Sequence, residues 1–147
     1  MPGIVVGVDG SDQSRHALEW AMREAAMHGV PLTVMTVHQA PPRPATRIYW
    51  NVPAYPEKSF DPELARKAVQ ELVDQVASEV SETVPEAIVE VATGYPAEEL
   101  VKASRDADLL VVGSRGSGGF AKLLMGSVSS QVTHHAACPV TVVRGTR

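Results

Sequence analysis

Glycines, serines and two cations are concentrated in one stretch of the chain, GSRGSGGFAKLLMGSVSS, from Gly113 to Ser130. It contains five glycines up to Gly126, with Arg115 and Lys122 among them. Glycine lets backbone N–H groups approach a phosphate oxygen closely, because no Cβ stands in the way. Serine hydroxyls can add hydrogen bonds, and they occur at Ser114, Ser117, Ser127, Ser129 and Ser130. These residue types predict an anion site, although the spacing is neither GxxxxGK(S/T) nor GxGxxG.

The flanks of this stretch are typical of a strand before it and a helix after it. Leu109 to Val112 is an apolar run with the composition of a strand buried on both faces. After Gly126, the residues Val128 and Val132 recur at helical spacing. A helix that starts here offers unpaired N–H donors, and Ser127 is predicted to cap it or to donate its hydroxyl to a phosphate. A plain strand–loop–helix joint without a ligand is the alternative interpretation.

Charge and cysteine content narrow the class of protein. The 147 residues are enough for one domain with a full core. A formal net charge of -4 argues against a nucleic-acid partner, so local groups must hold any anionic ligand. The single cysteine, Cys138, excludes an internal disulfide and a multi-cysteine metal site. Because neither a signal-peptide pattern nor an apolar run of membrane-spanning length is present, we expect a cytoplasmic protein with no membrane partner.

The rest of the chain alternates apolar runs with amphipathic segments. Strands are predicted at Ile4 to Val8, Leu32 to Val37, Ala87 to Ala92, Leu109 to Val112 and Val140 to Val143. Helices are predicted to begin at the N-caps Ser11 and Asp61, at Pro96 and at Ser127, and the first is predicted to stop at Gly29. This alternation favours a parallel sheet with helices on both faces. The ligand crevice is then expected at the carboxyl ends of the strands, beside Asp9 and Gly113.

The segment from Ala40 to Phe60 has a different composition. It contains five prolines and four of the seven aromatic residues, which are Tyr49, Trp50, Tyr55 and Phe60. A segment this rich in proline cannot be regular structure, and long loops are often functional. It is either a lid that offers aromatics to a base or, the favoured interpretation, a surface loop that packs its own aromatics. We treat residues 41–60 as a loop insertion.

The chain resembles the universal stress protein family over nearly its whole length. Nucleotide-binding members carry G-x2-G-x9-G-(S/T), and Gly113, Gly116, Gly126 and Ser127 meet that spacing. The flanking segments VGVDGS, TGYPAEEL and ACPVTVV agree with it. The resemblance implies one universal stress protein domain over residues 1–147. Its implied fold is Rossmann-like and similar to adenine nucleotide alpha hydrolases: an α/β fold with a five-stranded parallel sheet of order 3-2-1-4-5 and helices on both faces.

The same resemblance implies a nucleotide site and a dimer. ATP, or alternatively AMP or cyclic AMP, would bind where the winding of the sheet reverses, with Mg²⁺ on the phosphates, and two copies would pair through the strand Val140 to Val143. Asp9 would hydrogen-bond the ribose. The base site would be lined by Gly7, Val8 and Val37. The phosphates would be cradled by Gly113, Gly116, Gly126, Ser127 and Ser129, with Val128 beside them and Arg115 facing phosphate or solvent. Valine at Gly116 or Gly126 is expected to fill the phosphate space and to penalise positive φ.

Other residues with chemical potential have structural interpretations. His134 and His135 are adjacent on a helix, so they point to different faces and cannot share a metal ion. We interpret them as residues favoured by the C-terminal end of the helix dipole. His38 is expected to be a packing residue, and Cys138 to be buried and inert.

Three functions compete on these observations. The first is an ATP-binding stress-response protein that acts as a dimeric switch with little or no hydrolysis. The alternative is a slow ATPase or phosphotransfer enzyme, but no residue of the crevice is an evident base that could position water. A flavin mononucleotide module is a third possibility. Its phosphate loop would follow the first strand, where this chain has DGSDQS.

Overall fold

Nine elements follow one another in the computed structural model, which describes residues 3–39, 60–83, 86–115 and 126–145. The strands are β1 (Ile4–Gly7), β2 (Leu32–Gln39), β3 (Ala87–Gly94), β4 (Leu109–Gly113) and β5 (Val140–Val143). The helices are α1 (Asp12–His28), α2 (Pro62–Glu79), α3 (Pro96–Ser104) and α4 (Ser127–His135). All five predicted strands and four predicted helices are present.

The strands form a single parallel sheet of order β3-β2-β1-β4-β5, which confirms the expected fold. Val6 pairs with Val34 on one side and with Val111 on the other. The apolar runs are nearly continuous because both faces of the central strands are covered. Helices α1 and α2 cover the face that contains Val6, and α3 and α4 cover the face that contains Val5. The chain order reverses between β1 and β4, as the ligand-crevice prediction requires.

Local signals fix where the helices begin and end. The Ser11 side chain caps α1 by accepting a hydrogen bond from the Ser14 N–H, and Gly29 ends that helix in the left-handed conformation at φ 63°. Asp61 caps α2 in the same way, with Pro62 in its first turn. Pro96 begins α3. These four boundaries confirm the predictions made from the sequence.

Four of the five strands end one or two residues away from the predicted position. β1 ends at Gly7, although the Val8 N–H still donates to the Met35 carbonyl at 2.9 Å, because the chain turns toward the first helix there. β2 and β3 are longer than predicted, since their pairing continues through His38–Thr93 to Gln39–Gly94. No helix in the described part of the chain is long and apolar enough to cross a membrane.

Candidate functional site

The carboxyl ends of β1 and β4 are neighbours in the sheet. Two connecting segments begin there, one from β1 to α1 and one from β4 to α4; we call them joints, and together they form the candidate site. β1 pairs with β2 on one side and with β4 on the other. Asp9 follows β1, and Ser114 and Arg115 follow β4. The topology therefore brings the predicted ribose residue and the start of the predicted phosphate loop to the same edge of the sheet.

The joint from β1 to α1 satisfies its own polar groups. The Asp9 Oδ1 accepts hydrogen bonds from the Ser11 N–H at 2.9 Å and from the Ser11 Oγ at 2.5 Å. The Asp9 N–H donates to the Ser14 Oγ at 3.2 Å, and the Ser14 hydroxyl donates to the Ser11 carbonyl. Gly10 lies between them at φ 84°, a conformation that favours glycine. These contacts hold the exposed Asp9 carboxylate in a defined orientation at the end of β1.

In the joint from β4 to α4, one backbone carbonyl accepts two hydrogen bonds from the start of the helix. The Ser114 oxygen accepts from the Gly126 N–H at 2.6 Å and from the Ser129 hydroxyl at 3.1 Å. The same hydroxyl lies 3.0 Å from the Gly126 carbonyl. Ser114 and Ser129 are both buried, so these bonds replace lost contacts with water. The two ends of the glycine-rich stretch are therefore held together where β4 ends.

The start of α4 has three backbone donors that precede its first intrahelical bond. That bond runs from the Ser130 N–H to the Gly126 carbonyl at 3.0 Å. The amides of Ser127, Val128 and Ser129 come before it, and no described side chain caps them. Open amides at a helix N-terminus, together with the helix dipole, are suited to binding an anion.

The structure excludes one of the two roles predicted for Ser127 and one expectation about Gly126. Gly126 is the N-cap of α4 and Ser127 is its first helical residue, so Ser127 does not cap the helix. Gly126 has φ -69°, which an L-residue adopts without strain, so the expected penalty on positive φ does not apply there. Its N–H group is occupied by Ser114, which leaves the following amides as the free donors.

The structure also gives Gly113 a packing role. An added Cβ would lie 3.0 Å from the backbone oxygen of Gln13, in the first turn of α1. Glycine here lets β4 end directly against that turn. Sequence reasoning did not identify Gln13, whose Oε1 is buried and accepts no hydrogen bond from the described residues. No local pattern could have revealed this contact, because it joins positions far apart in the chain.

The three residues predicted to line the base site are placed differently. Val8 is 5% exposed and its side chain packs in the core on the α1 and α2 side. Gly7 faces the opposite side, where an added Cβ would meet Leu100 at 3.0 Å. Val37 is half-buried on that same side, next to the α3 and α4 cluster. Only Gly7 and Val37 therefore share a face of the sheet.

The remaining predicted site residues are exposed or lie outside the description. Arg115, the last described residue after β4, is exposed. Ser127 is exposed at the start of α4. Gly116, Lys122 and residues 40–59 of the proline-rich segment lie outside the described residues. Phe60, which ends that segment, stacks on His38 with ring centroids 3.8 Å apart, in agreement with a packing role for the histidine.

The other chemically active side chains in the described part of the chain have structural roles. Burial raises the pKa of the Cys138 thiol, and the nearby Asp108 carboxylate raises this pKa further, so the reactive thiolate is disfavoured. Cys138 is half-buried rather than fully buried. His134 and His135 occupy the last turn of α4, as predicted. Among the described residues no three histidine, cysteine, aspartate or glutamate side chains are grouped as metal ligands.

A doubly wound parallel sheet with an open helix N-terminus where the chain order reverses defines the class of Rossmann-like α/β folds. Within that class, the model of the universal stress protein family matches residues 2–144. The chain therefore belongs to the universal stress protein family.

Individual relatives agree with this assignment. A universal stress protein of Mycolicibacterium smegmatis is 36% identical over 146 residues, which cover 97% of this chain and 48% of that protein. The chain spans about half the length of the curated relatives it matches. A universal stress protein crystallised in complex with cAMP is 26% identical, with a TM-score of 0.68 and coverage of 99% and 98% of the two chains. An Archaeoglobus fulgidus universal stress protein in complex with dAMP is also 26% identical, with a TM-score of 0.63 and coverage of 97% of each chain.

Proposed function

We propose that this chain binds an adenine nucleotide at the carboxyl edge of its sheet, with ATP as the first candidate, and acts as a nucleotide-dependent switch in the stress response. The observation that carries the proposal is the start of α4, where the amides of Ser127, Val128 and Ser129 are open to an anion. The two relatives with bound cAMP and dAMP support an adenine nucleotide as the ligand class.

Each part of the edge has a role in this proposal. The amides at the start of α4 hold phosphate oxygens, and the Ser127 hydroxyl, which is not needed as a cap, adds a donor. Asp9 accepts hydrogen bonds from the ribose hydroxyls, with its orientation set by Ser11. The base lies on the side of the sheet shared by Gly7 and Val37. The Val8 side chain takes no part, because it is buried in the opposite cluster.

Arg115, Gly116 and Mg²⁺ complete the phosphate site in this proposal. Arg115 is exposed next to Ser114 and can neutralise part of the phosphate charge, and Gly116 follows it in the sequence and is proposed to contact phosphate. The described side chains form no metal cluster of their own, so a Mg²⁺ ion would be bound chiefly through the phosphates.

Identification of the nucleotide is the first experiment. Purified protein is denatured, and the released small molecules are analysed by mass spectrometry, followed by calorimetry of the emptied protein with ATP, AMP and cAMP. The expected result is stoichiometric binding of one adenine nucleotide with a clear preference among the three. Absence of adenine nucleotide in the extract, together with no heat of binding for any of them, would contradict the proposal.

We further propose that bound ATP is turned over slowly or not at all. Fast phosphoryl transfer needs a group that positions the attacking water, and the described edge offers Asp9, whose Oδ1 already accepts two hydrogen bonds from Ser11. Dedicated enzymes reach roughly 1–100 s⁻¹, and we expect a rate lower by about three orders of magnitude. A single-turnover assay with radiolabelled ATP and Mg²⁺ on the wild type and on Asp9→Ala measures this. Turnover near one per second that is lost in the variant would favour the enzyme instead.

The proposed switch is a cytoplasmic homodimer that pairs through β5. β5 is an edge strand whose four residues, Val140–Val143, are all half-buried in the single chain. Apolar strand edges are normally paired or covered, and two copies related by a two-fold axis would satisfy both edges. Light scattering at micromolar concentration should give the dimer mass, and Val142→Pro should give a monomer or an aggregate. A monomeric wild type would contradict this part of the proposal.

A further inference from the structure

A second concave surface lies at the amino ends of the strands, at the opposite end of the sheet from Asp9 and the start of α4. It is a cavity of about 410 Å³ whose floor is formed by Val5, Thr33 and Ile88. Glu86 and Asp106 lie at its rim. We call this surface the amino-end cleft. None of its lining residues belongs to the candidate nucleotide site.

The strand register explains the floor of the cleft. Val5 pairs with Thr33, and Thr33 pairs with Ile88, so the three residues form one row across β1, β2 and β3. Val5 belongs to the cluster on the α3 and α4 side of the sheet, and residues in register share a face. Ile88 is 43% exposed, whereas Val89, on the other face of the same strand, is 6% exposed.

The short helix α3 covers this row only in part. α3 has nine residues and packs Leu100 against Gly7, which lies toward the carboxyl end of β1. It ends at Ser104, and the chain then returns to the sheet, where the Asp108 N–H donates to the Gly3 carbonyl at 2.8 Å. The helix therefore covers the carboxyl half of β1, and Val5 is buried at 8% exposure in the same cluster, so the open part of the row is at Thr33 and Ile88.

The rim of the cleft carries unpaired negative charge. Glu86 and Asp106 are both exposed, and neither forms an ion pair with any described residue. Some exposed carboxylates elsewhere form such pairs, for example Glu79 with Arg15 at 2.8 Å, whereas others, such as Glu71 on α2, form none with the described residues. A floor with the exposed aliphatic side chain of Ile88, and a rim whose carboxylates pair with no described cation, are complementary to an apolar group flanked by cations.

We propose that the amino-end cleft is a docking site for a segment of another protein in which an aliphatic side chain is flanked by lysine or arginine. The aliphatic side chain packs on the row of Val5, Thr33 and Ile88, and the flanking cations pair with Glu86 and Asp106. A protein segment fits better than a small molecule because the cleft is open along the exposed start of the edge strand β3. Small-molecule sites enclose most of the ligand surface.

The test is a titration of the ¹⁵N-labelled protein with a synthetic decapeptide that has a Lys-Ile-Lys-Ile-Lys centre and glycine-serine flanks. The amide signals of Val5, Thr33 and Ile88 should shift and saturate, while those of Ser127 to Ser129 stay in place. The double variant Glu86→Lys/Asp106→Lys should weaken binding about tenfold or more. The single charge reversal Glu71→Lys, at an exposed position on α2 that pairs with no described residue, measures the effect of a distant charge and should change the affinity by about twofold or less.

A second variant separates docking from folding. Ile88→Thr keeps a β-branched residue in the strand and should leave the thermal unfolding of the protein unchanged, while it weakens peptide binding about tenfold. The exposed Leu64→Gln serves as its control and should have no effect on the peptide.

Four outcomes would overturn the proposal. The first is no saturable shift at the cleft. The second is equal affinity for a peptide in which serine replaces isoleucine, and the third is equal affinity for n-hexylamine, which would indicate a site for a small organic cation. The last is a change in oligomeric state on Ile88→Thr, which would indicate that a second copy of the chain occupies the cleft.

Discussion

The two joints at the carboxyl edge of the sheet are built on the same plan. Each leads from a central strand into a helix whose third residue is a buried serine, Ser14 in α1 and Ser129 in α4. Each serine hydroxyl bonds to the N-cap carbonyl and to the backbone of the strand end, at Asp9 in the first joint and at Ser114 in the second. This shared geometry holds each helix start against the sheet.

The joints differ in the residue at the N-cap. In α1 it is Ser11, whose side chain accepts the Ser14 N–H at 3.2 Å. In α4 it is Gly126, which has no side chain to accept the Ser129 N–H. The first joint therefore caps the Ser14 amide, whereas the Ser129 amide at the same position in the second joint has no acceptor among the described residues. The two amides before it, those of Asp12 and Gln13 in α1 and of Ser127 and Val128 in α4, are open in both joints within the described part of the chain. This one-amide difference supports the proposed anion site after β4 over a flavin-type phosphate loop after β1.

The largest expected effect comes from removing one amide of α4 without disturbing the helix. Ser127→Pro places proline at the first helical position, where it is favoured, and the preceding Gly126 already has the extended ψ of 161° that proline requires. The loss of a donor to a charged phosphate costs about 1.5–3 kcal/mol, so we expect nucleotide affinity to fall about 10- to 100-fold. Calorimetry measures the affinity, and urea denaturation should show stability unchanged within about 0.5 kcal/mol.

Two matched variants make this prediction specific to the second joint. Ser127→Ala removes the hydroxyl but keeps the amide, so it should lower affinity less than Ser127→Pro does. Asp12→Pro makes the same change at the first position of α1, after an N-cap with ψ 160°, and should leave nucleotide affinity unchanged. Equal losses from Ser127→Pro and Asp12→Pro would show that the two joints do not differ in function.

Much of the fold could be predicted from the sequence because its signals are local. Asp61 and Pro62 mark the start of α2, Gly29 marks the end of α1, and the apolar run at Val140–Val143 matches β5 residue for residue. The order of the sheet was implied by the family resemblance and is confirmed.

The details of the site were less predictable because they depend on contacts between distant residues. Glycine and serine are both good N-caps, so the sequence alone does not decide between Gly126 and Ser127. The Ser114 carbonyl decides it by binding the Gly126 N–H. The contact between Gln13 and Gly113 likewise joins two elements that are remote in the chain.

The two joints also use glycine for different reasons, which a pair of alanine variants can separate. Gly113→Ala would place a Cβ 3.0 Å from the Gln13 backbone oxygen, which cannot move freely, so we expect destabilisation of about 1–3 kcal/mol. Gly10→Ala meets no atom within 4 Å but has φ 84°, so it should cost about 1–2 kcal/mol through backbone strain alone. Chemical denaturation compares the two. A neutral Gly113→Ala would show that the close contact with α1 is not required.

The smallest expected effect comes from giving the second joint the cap of the first. Gly126→Ser is sterically permitted by φ -69° and supplies a hydroxyl that can accept the Ser129 N–H, as Ser11 does for Ser14. The free energy of unfolding should rise by only about 0.3 kcal/mol, because glycine is itself a tolerated N-cap. Nucleotide affinity should fall about two- to tenfold, since the new hydroxyl competes with phosphate for one amide at a net value of about 0.5–1.5 kcal/mol.

The two effects have opposite signs, so denaturation and calorimetry on the same sample distinguish competition for the amide from general damage to the helix. A variant that is more stable and binds nucleotide as well as the wild type would show that the Ser129 amide is not a phosphate donor and would restrict the anion site to Ser127 and Val128.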